Sequence, residues 1–236
     1  MLKQPANVLF LVPVPISETD INWSVPLNSI HQIIKIQCFI VENAKTARHY
    51  LKQINPQIKY DEILIYELNK HDINSQIAEI KDLLAHHTMI GLMSEAGLPC
   101  IADPGNHVVR LAHDLHLTVK PLIGPSSIIL ALISSGFNGQ QFKFHGYLPA
   151  KPEEKRTAVL NLEKEAIKAT QLFIEAPYRN DKMLSDLIQI LYPATRLLVA
   201  IDMTGEKEKI ICQTIAWWKK NPLEIGKIPC LFGVGI

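Results

Sequence analysis

Cysteine is scarce in this sequence and never paired. The four cysteines among 236 residues stand singly, with no Cys-x-x-Cys spacing, which is typical of reduced thiols rather than of disulfides or zinc ligands. No cysteines or carboxylates lie at metal-ligand spacing from the nine histidines. We therefore expect no metal site.

Long apolar runs are also missing. The longest apolar stretches, Asn7–Val14 and Ile128–Ile133, fall far short of the ~18 residues that a membrane-spanning helix needs. Met1–Phe10 has one lysine and no small-residue cleavage site behind an apolar core, so no signal peptide is expected. The sequence predicts a cytoplasmic protein without a membrane segment.

An excess of charge is absent as well. The net charge is +1, and neither half of the chain is strongly basic. A protein that holds nucleic acid mainly through its phosphates usually carries a clear positive excess. The bulk charge therefore gives no indication of RNA binding, although local basic patches are compatible with it.

Three common catalytic or nucleotide-binding motifs do not occur. No GxGxxG follows the first predicted strand, where the chain reads Val12-Pro-Val-Pro-Ile-Ser17, and no GxxxxGK[ST] or GxSxG is found. The sequence thus lacks the signatures of dinucleotide-binding folds, P-loop proteins and serine hydrolases.

What the chain does have is a regular alternation of β-rich runs and amphipathic helical patterns, which predicts a mostly parallel, helix-covered sheet. Helical spacing of apolar residues marks Ser75–His87, Val108–Leu115 and Ser126–Ser135. The predicted strands of this first part are Val8–Val12, Gln37–Val41, Glu62–Tyr66, Met89–Met93 and Thr118–Leu122.

A second α/β domain is predicted after the segment Gly146-Tyr-Leu-Pro-Ala-Lys-Pro152, whose glycine and prolines are typical of a linker. We therefore predict two domains, residues 1–146 and 147–236. The second contains a helix from Pro152, another over Met183–Leu191, and strands at Gln171–Ile174, Leu197–Ile201, Lys209–Thr214 and Pro229–Val234.

Polar and glycine-rich residues follow the predicted strands, at the sheet edge where parallel α/β folds bind ligands. Each segment alone is compatible with an ordinary turn, but together they favour a ligand cleft. The segments are Glu42, Ser94–Pro99, Gly124–Ser127, Glu175–Arg179 and Asp202–Thr204.

Four of these blocks carry a family resemblance. Ser94-Glu-Ala-Gly-Leu-Pro-Cys-Ile-Ala-Asp-Pro-Gly105, Gly124-Pro-Ser-Ser127, Gly146–Pro152 and Glu175-Ala-Pro-Tyr-Arg179 resemble the tetrapyrrole methylase superfamily of S-adenosylmethionine-dependent methyltransferases. The most similar branch methylates a cytidine ribose 2′-hydroxyl in small-subunit ribosomal RNA. Its blocks read S-D-A-G-T-P-x-I-S-D-P-G, G-P-S-A, G-F-x-P-x-K and E-S-P-H-R, in the same order over most of the chain.

The resemblance implies two α/β domains, with S-adenosylmethionine in the cleft between them and a homodimeric assembly. Many of the expected cofactor contacts are to backbone groups, which small residues leave accessible. Carried over by position, the cofactor-binding residues are Pro15, Ala96, Gly97, Leu98, Ile101, Ser126, Ser127 and Ala176, with the loop Asp202–Thr204 closing over them.

The chain departs from the branch on the acceptor side. The first loop of the branch reads T-P-I-G-N-L-x-D, whereas this chain has Val14-Pro-Ile-Ser-Glu-Thr-Asp20. The branch motif E-D-T-R is replaced by Glu42-Asn-Ala-Lys45, and the histidine of E-S-P-H-R is Tyr178. The cofactor assignment therefore carries over more completely than the substrate assignment.

Candidate catalytic residues are carboxylates, because a hydroxyl acceptor needs a base or a charge-stabilising group. Glu42 and Asp20 are the candidates, with Glu175 behind them; the alternative for each is a helix cap or an ion pair. Lys151 and Arg179 are candidates for holding an anionic substrate, or else are surface charges.

Three functions remain open from the sequence. The first is methyl transfer to ribosomal or other RNA, and the second is methyl transfer to a small metabolite such as a tetrapyrrole. The third is a cofactor-binding module without catalysis, suggested by the changes at Ser17, Glu18 and Ala44.

Overall fold

The computed structural model describes residues 7–18, 21–69 and 72–236. The chain folds into two compact units, the first ending at Pro125 and the second starting at Ser126. Among the described residues, no helix has both the length and the apolar character to span a membrane.

The first unit is built on a five-stranded sheet in which every neighbouring pair is parallel. The strand order is β3-β2-β4-β1-β5, so the prediction of a mainly parallel first sheet is confirmed. The strands are β1 (Val8–Val12), β2 (Cys38–Val41), β3 (Leu64–Glu67), β4 (Met89–Met93) and β5 (Thr118–Pro121).

Helices cover both faces of this sheet because successive side chains of each strand point to opposite sides. In β1, Phe10 packs in the cluster that includes Tyr50 and Leu51, whereas Leu9 packs with Ile80 and Leu84 on the other face. The helices are α1 (Ile21–Ser24), α2 (Leu27–Ile33), α3 (Ala44–Ile54), α4 (Ile77–His86) and α5 (Asn106–Asp114), with 3-10 turns at Tyr60–Glu62 and Asn74–Gln76.

The strand order creates a topological switch point between β4 and β1. The chain leaves β1 for β2, on the far side of β4, and leaves β4 for β5, on the far side of β1. The helix after β1 packs on one face of the sheet, through Ile33, and the helix after β4 packs on the other, through Val108. The two connections therefore leave on opposite faces, and a crevice opens at the carboxyl ends of these neighbours, where open α/β sheets bind ligands.

The second unit contains a mixed sheet of order β6-β7-β10-β8-β9, in which only β6 and β7 are parallel. Its core includes the stacked rings of Phe173 and Phe232, with centroids 5.4 Å apart. The elements are α6 (Ser127–Ser135), β6 (Phe142–Tyr147), α7 (Pro152–Glu165), β7 (Thr170–Ile174), a 3-10 turn (Pro177–Arg179), α8 (Asn180–Ile190), β8 (Arg196–Ile201), β9 (Lys209–Thr214), α9 (Ile215–Trp218) and β10 (Cys230–Gly235).

The two units divide upstream of the boundary predicted at residue 146. Ile128 and Leu132 of α6 pack in one cluster with Leu172 of the second sheet, and β6 pairs with β7. The proline-rich segment Gly146–Pro152 therefore connects two elements of the second unit. Its glycine lies at φ +66°, at an irregularity in the β6–β7 pairing, which explains why it has the composition of a linker.

Candidate functional site

The loops that follow β1 and β4 are joined at the switch point by two backbone hydrogen bonds. The Val14 N–H donates to the Gly97 carbonyl at 2.9 Å, and the Gly97 N–H donates to the Val14 carbonyl at 2.9 Å. This short antiparallel bridge holds the two loops at a fixed separation, and it uses no side chain.

Glycine is favoured at position 97 because its φ is +71°, a conformation that costs other residues roughly 1–2 kcal/mol. Two non-glycine residues follow with similar angles, Cys100 at +73° and Ala102 at +62°. Strained backbone of this kind concentrates at ligand-binding and catalytic sites. The neighbouring Ala96 is exposed, so the backbone here is open to close approach by a ligand.

The loop after β5 packs against the loop after β1. A Cβ atom placed on Gly124 would lie 2.0 Å from the Cβ of Pro13, and one placed on Gly97 would lie 3.6 Å from the Pro125 carbonyl oxygen. The carboxyl ends of β1, β4 and β5 thus form one rim, which we call the switch-point rim: residues 13–16, 94–105 and 122–125.

Glu42, the candidate base, lies at the end of β2 and is tied to this rim. Its N–H donates to the Met93 carbonyl at 3.0 Å, and its Oε2 accepts a hydrogen bond from the Glu95 N–H at 2.9 Å. The side chain is half-buried. Glu42 thus links the ends of β2 and β4 through a hydrogen bond, and its chemical role stays a prediction.

The altered Glu42-Asn-Ala-Lys45 segment still starts a helix. The Asn43 side chain caps α3 by accepting hydrogen bonds from the Lys45 N–H at 2.9 Å and the Thr46 N–H at 3.2 Å. Glu67, at the end of β3, accepts one from the Ala44 N–H at 2.7 Å. Because asparagine and aspartate cap helices about equally well, the exchange of Asp for Asn preserves the local structure.

Asp103 is a carboxylate of the switch-point rim that is not among the catalytic candidates named from the sequence. Its Oδ1 accepts a hydrogen bond from the Gly105 N–H at 2.7 Å, while its Oδ2 is buried without a hydrogen-bond partner among the described residues. Burial raises the pKa of this carboxyl, and the charge of Glu42 adds to the rise, against the opposing backbone hydrogen bonds. Burial, with the charge of Asp103, also raises the pKa of the Cys100 thiol to about 11.

The structure brings the predicted cofactor residues of the first unit together on the switch-point rim. Pro15 follows β1 directly after the Val14–Gly97 bridge, and Ala96, Gly97 and Leu98 follow β4. Ile101, in the same segment, exposes 42% of its surface. The predicted Ser126, Ser127 and Ala176 belong to the second unit, and their role in cofactor binding stays a prediction.

The other candidates are placed as follows. Asp20 lies outside the described residues. Glu175 is buried and pairs with Arg179, and it also accepts a hydrogen bond from the Ala176 N–H at 2.7 Å. Lys151 is exposed and lies 3.1 Å from Glu154. The ion-pair alternative is therefore realised for Glu175, with Arg179 as its partner, whereas substrate binding by Lys151 or Arg179 stays a prediction.

The loop Asp202–Thr204 is strained, with φ of +48° at Asp202 and +66° at Thr204. The Asp202 Oδ2 accepts a hydrogen bond from the Lys207 N–H at 2.9 Å, which shapes the turn after β8. Within the described part of the chain, no group of three His, Cys, Asp or Glu side chains is arranged to hold a metal ion.

Comparison with known sequences gives one consistent result. No protein-family model matches the chain. It is 30% identical over 214 residues to the ribosomal RNA small subunit methyltransferase I of Bacillus subtilis, covering 91% of this chain and 70% of the relative. The proteins of the same name from Vibrio cholerae (28% identical, 90% of this chain and 72% of the relative) and Micromonospora olivasterospora (31%, 87% and 62%) are similar.

Solved structures share the fold at low identity. The methyltransferase CobJ superimposes with a TM-score of 0.62 at 14% identity, over 97% of this chain and 92% of its own. The uroporphyrin III C-methyl transferase from Thermus thermophilus gives a TM-score of 0.57 at 12% identity, over 97% of both chains. The two-domain α/β fold predicted from the motifs is thereby confirmed.

The glycine-rich rim at the switch point and the relatives that match nine-tenths of the chain lead to the same assignment. The chain belongs to the ribosomal RNA small subunit methyltransferase I family, a family of methyltransferases with the tetrapyrrole methylase fold.

Proposed function

We propose that this chain transfers a methyl group from S-adenosylmethionine to a ribose 2′-hydroxyl of small-subunit ribosomal RNA. The observation that carries the proposal is the Val14–Gly97 bridge, which holds an open, small-residue loop at the switch point of the parallel sheet. The name shared by the relatives supports the RNA acceptor.

The residues of the switch-point rim fit a nucleoside donor. Ala96 is exposed and has a small side chain, and Pro15, Leu98 and Ile101 offer apolar surface. A sulfonium donor supplies an already activated methyl group, so the protein contributes binding and orientation. Correct alignment of the acceptor alone is worth ~7–11 kcal/mol.

The proton of the acceptor hydroxyl requires a base, and Glu42 is our candidate, because its carboxylate is held at the rim by the Glu95 N–H. Asp103 suits this role less well, since burial favours its neutral form. We expect Glu42→Gln, whose side-chain oxygen can still accept that hydrogen bond, to lower the transfer rate ~10²–10⁴-fold. Donor affinity, measured by calorimetry, should stay unchanged.

The experiment that tests the acceptor uses tritiated S-adenosylmethionine with small ribosomal subunits, their purified RNA and small-molecule extracts, all from cells lacking the family's activity. We expect label in the small-subunit RNA, at one ribose resistant to alkaline cleavage. Label confined to a small-molecule fraction would identify a metabolite enzyme instead. Donor binding without transfer to any fraction would identify a non-catalytic binding module.

Two further parts of the proposal follow from an RNA acceptor and from the family resemblance. We propose that the protein acts in the cytoplasm, where ribosomal RNA is accessible, and that it assembles as a homodimer. Sedimentation equilibrium of the purified protein tests the second point, because a mass near 26.6 kDa at micromolar concentration would contradict it.

A further inference from the structure

Helix α3 carries basic residues and no acidic ones. Its sequence, Ala-Lys-Thr-Ala-Arg-His-Tyr-Leu-Lys-Gln-Ile from Ala44 to Ile54, contains no aspartate or glutamate. The face toward the sheet is apolar, with Ala47, Tyr50 and Leu51 buried. Of the exposed side chains of α3, four basic ones lie at helical spacing, and we call them the α3 stripe: Lys45, Arg48, His49 and Lys52.

The cations of the α3 stripe keep their charge available. No carboxylate of the described residues forms an ion pair with Lys45, Arg48 or Lys52. Exposed lysines elsewhere do pair, as Lys59 does with Glu62 at 3.1 Å and Lys182 with Asp186 at 2.7 Å. In a chain of net charge +1, an unpaired stripe of this kind is a local positive field.

The α3 stripe starts close to the candidate site. Helix α3 begins at Ala44, two residues after Glu42, so Lys45 lies next to the switch-point rim. From Lys45 to Lys52 the helix rises ~10 Å at 1.5 Å per residue. The stripe is therefore long enough to contact more than one phosphate group of a strand that leaves the site.

Phosphate contacts by lysine and arginine position a nucleic acid without reading its sequence. Resting on the proposed function, we propose that the α3 stripe binds the ribose–phosphate backbone of the acceptor RNA next to the methylated nucleotide. The stripe supplies local charge that the near-neutral composition of the whole chain does not.

The test combines Lys45→Gln, Arg48→Gln and Lys52→Gln in one variant of the full chain. Glutamine is a good helix former, so α3 should persist; circular dichroism and the melting temperature check this. Methyl transfer to small ribosomal subunits, and binding of their RNA by fluorescence anisotropy, are measured between 50 and 200 mM KCl. A matched control removes three exposed lysines of the second unit, Lys164, Lys168 and Lys219, with the same change in net charge.

For three lost phosphate contacts to single-stranded RNA, the slope of log affinity against log salt should fall by about 2. At 100 mM KCl the KM for the subunits should rise at least about tenfold, with kcat and donor affinity unchanged. The control variant should match the wild type. A variant with Lys45→Arg and Lys52→Arg, which retains the charge, should also keep the wild-type slope.

The two proposals fail in different ways. If the wild type methylates RNA but the stripe variant keeps its KM and salt slope, the α3 proposal is overturned and the proposed function stands. If the wild type transfers no methyl to RNA, the proposed function fails. The α3 proposal rests on that function and fails with it, and anisotropy then decides only whether the α3 stripe binds RNA at all.

Discussion

At the residue scale, two glycines determine how closely the loops of the switch-point rim approach one another. Gly97 has the positive φ that lets its N–H and carbonyl pair with Val14. Gly124 leaves the space that Pro13 occupies. Because glycine has no side chain, both residues act by allowing the backbone segments of the rim to approach each other.

A methyl group at position 124 tests this spacing. We expect Gly124→Ala to lower the free energy of unfolding by about 1–3 kcal/mol, because the new Cβ overlaps Pro13 and forces the loops apart. Donor affinity should fall as well. Gly139→Ala is the control, since a Cβ there meets no atom within 4 Å. Urea unfolding and calorimetry measure both effects, and equal behaviour of the two variants would contradict the spacing argument.

The carboxyl of Asp103 gives a pH-dependent prediction. Burial raises its pKa in the folded state, so the folded chain binds more protons than the unfolded chain, and stability falls as pH rises through that interval. The variant Asp103→Asn does not titrate there. Its stability relative to the wild type should therefore increase as pH rises from about 4 to the raised pKa, and then level off.

Chemical unfolding at a series of pH values measures this difference. The control is Asp61→Asn, the same exchange at an exposed position. A constant difference for Asp103→Asn across the range would show that its carboxyl is not perturbed.

Sequence motifs were sufficient to predict that Pro15, Ala96, Gly97 and Leu98 occur on the same edge of the sheet. They were not sufficient for Asp103. Its unpartnered Oδ2 results from packing of the segment between β4 and α5, and no local pattern encodes that. Likewise, the pairing of Arg179 with Glu175 depends on the burial of the glutamate.

At the scale of elements, the start of α3 is the best-defined local structure near the site. The Asn43 side chain accepts hydrogen bonds from two helix N–H groups. We expect Asn43→Ala to lower the free energy of unfolding by about 1 kcal/mol. Asn43→Asp restores the residue of the branch motif and should leave stability close to that of the wild type. Thermal unfolding compares the three proteins, and an Asn43→Ala variant as stable as the wild type would contradict the capping role.

The strands of the first sheet were predictable because they are apolar and rich in β-branched residues. Strands β1 and β4 have the predicted bounds, β2 and β5 differ by one residue at one end, and β3 starts two residues later and ends one residue later than predicted. Helix α3 and strand β6 escaped prediction for a physical reason. Helix α3 buries only three residues, and β6 is an edge strand, half exposed and interrupted near Gly146.

At the scale of the whole molecule, each unit has its own sheet and its own core clusters. The predicted boundary was placed at the strongest linker composition, near Gly146, whereas the units divide at Pro125. Composition reflects the residue preferences of local turns. Whether α6 and β6 belong to the first or the second unit depends on contacts with strands that come later in the chain. Those contacts are not visible in a local window of sequence.

Ligand binding gives a prediction for the intact molecule. S-adenosylmethionine at a hundredfold excess over its dissociation constant should stabilise the protein by ~2.7 kcal/mol, which corresponds to roughly 5–10 °C in melting temperature for a chain of this size. Hydrogen exchange should slow in residues 13–16 and 94–105. Adenosine at the same concentration is the control. No shift with the donor or with its demethylated product would contradict the donor site.

The two hydrogen bonds between Val14 and Gly97 have a consequence for sequence divergence. A bridge made only of main-chain groups constrains the residue type at one position, Gly97, and places no constraint on the neighbouring side chains. The first loop of this chain lacks the glycine and asparagine of the family pattern, yet its main chain still forms the bridge to the loop after β4. Acceptor preference can therefore change through these side chains, while the main-chain framework of the proposed donor site is retained.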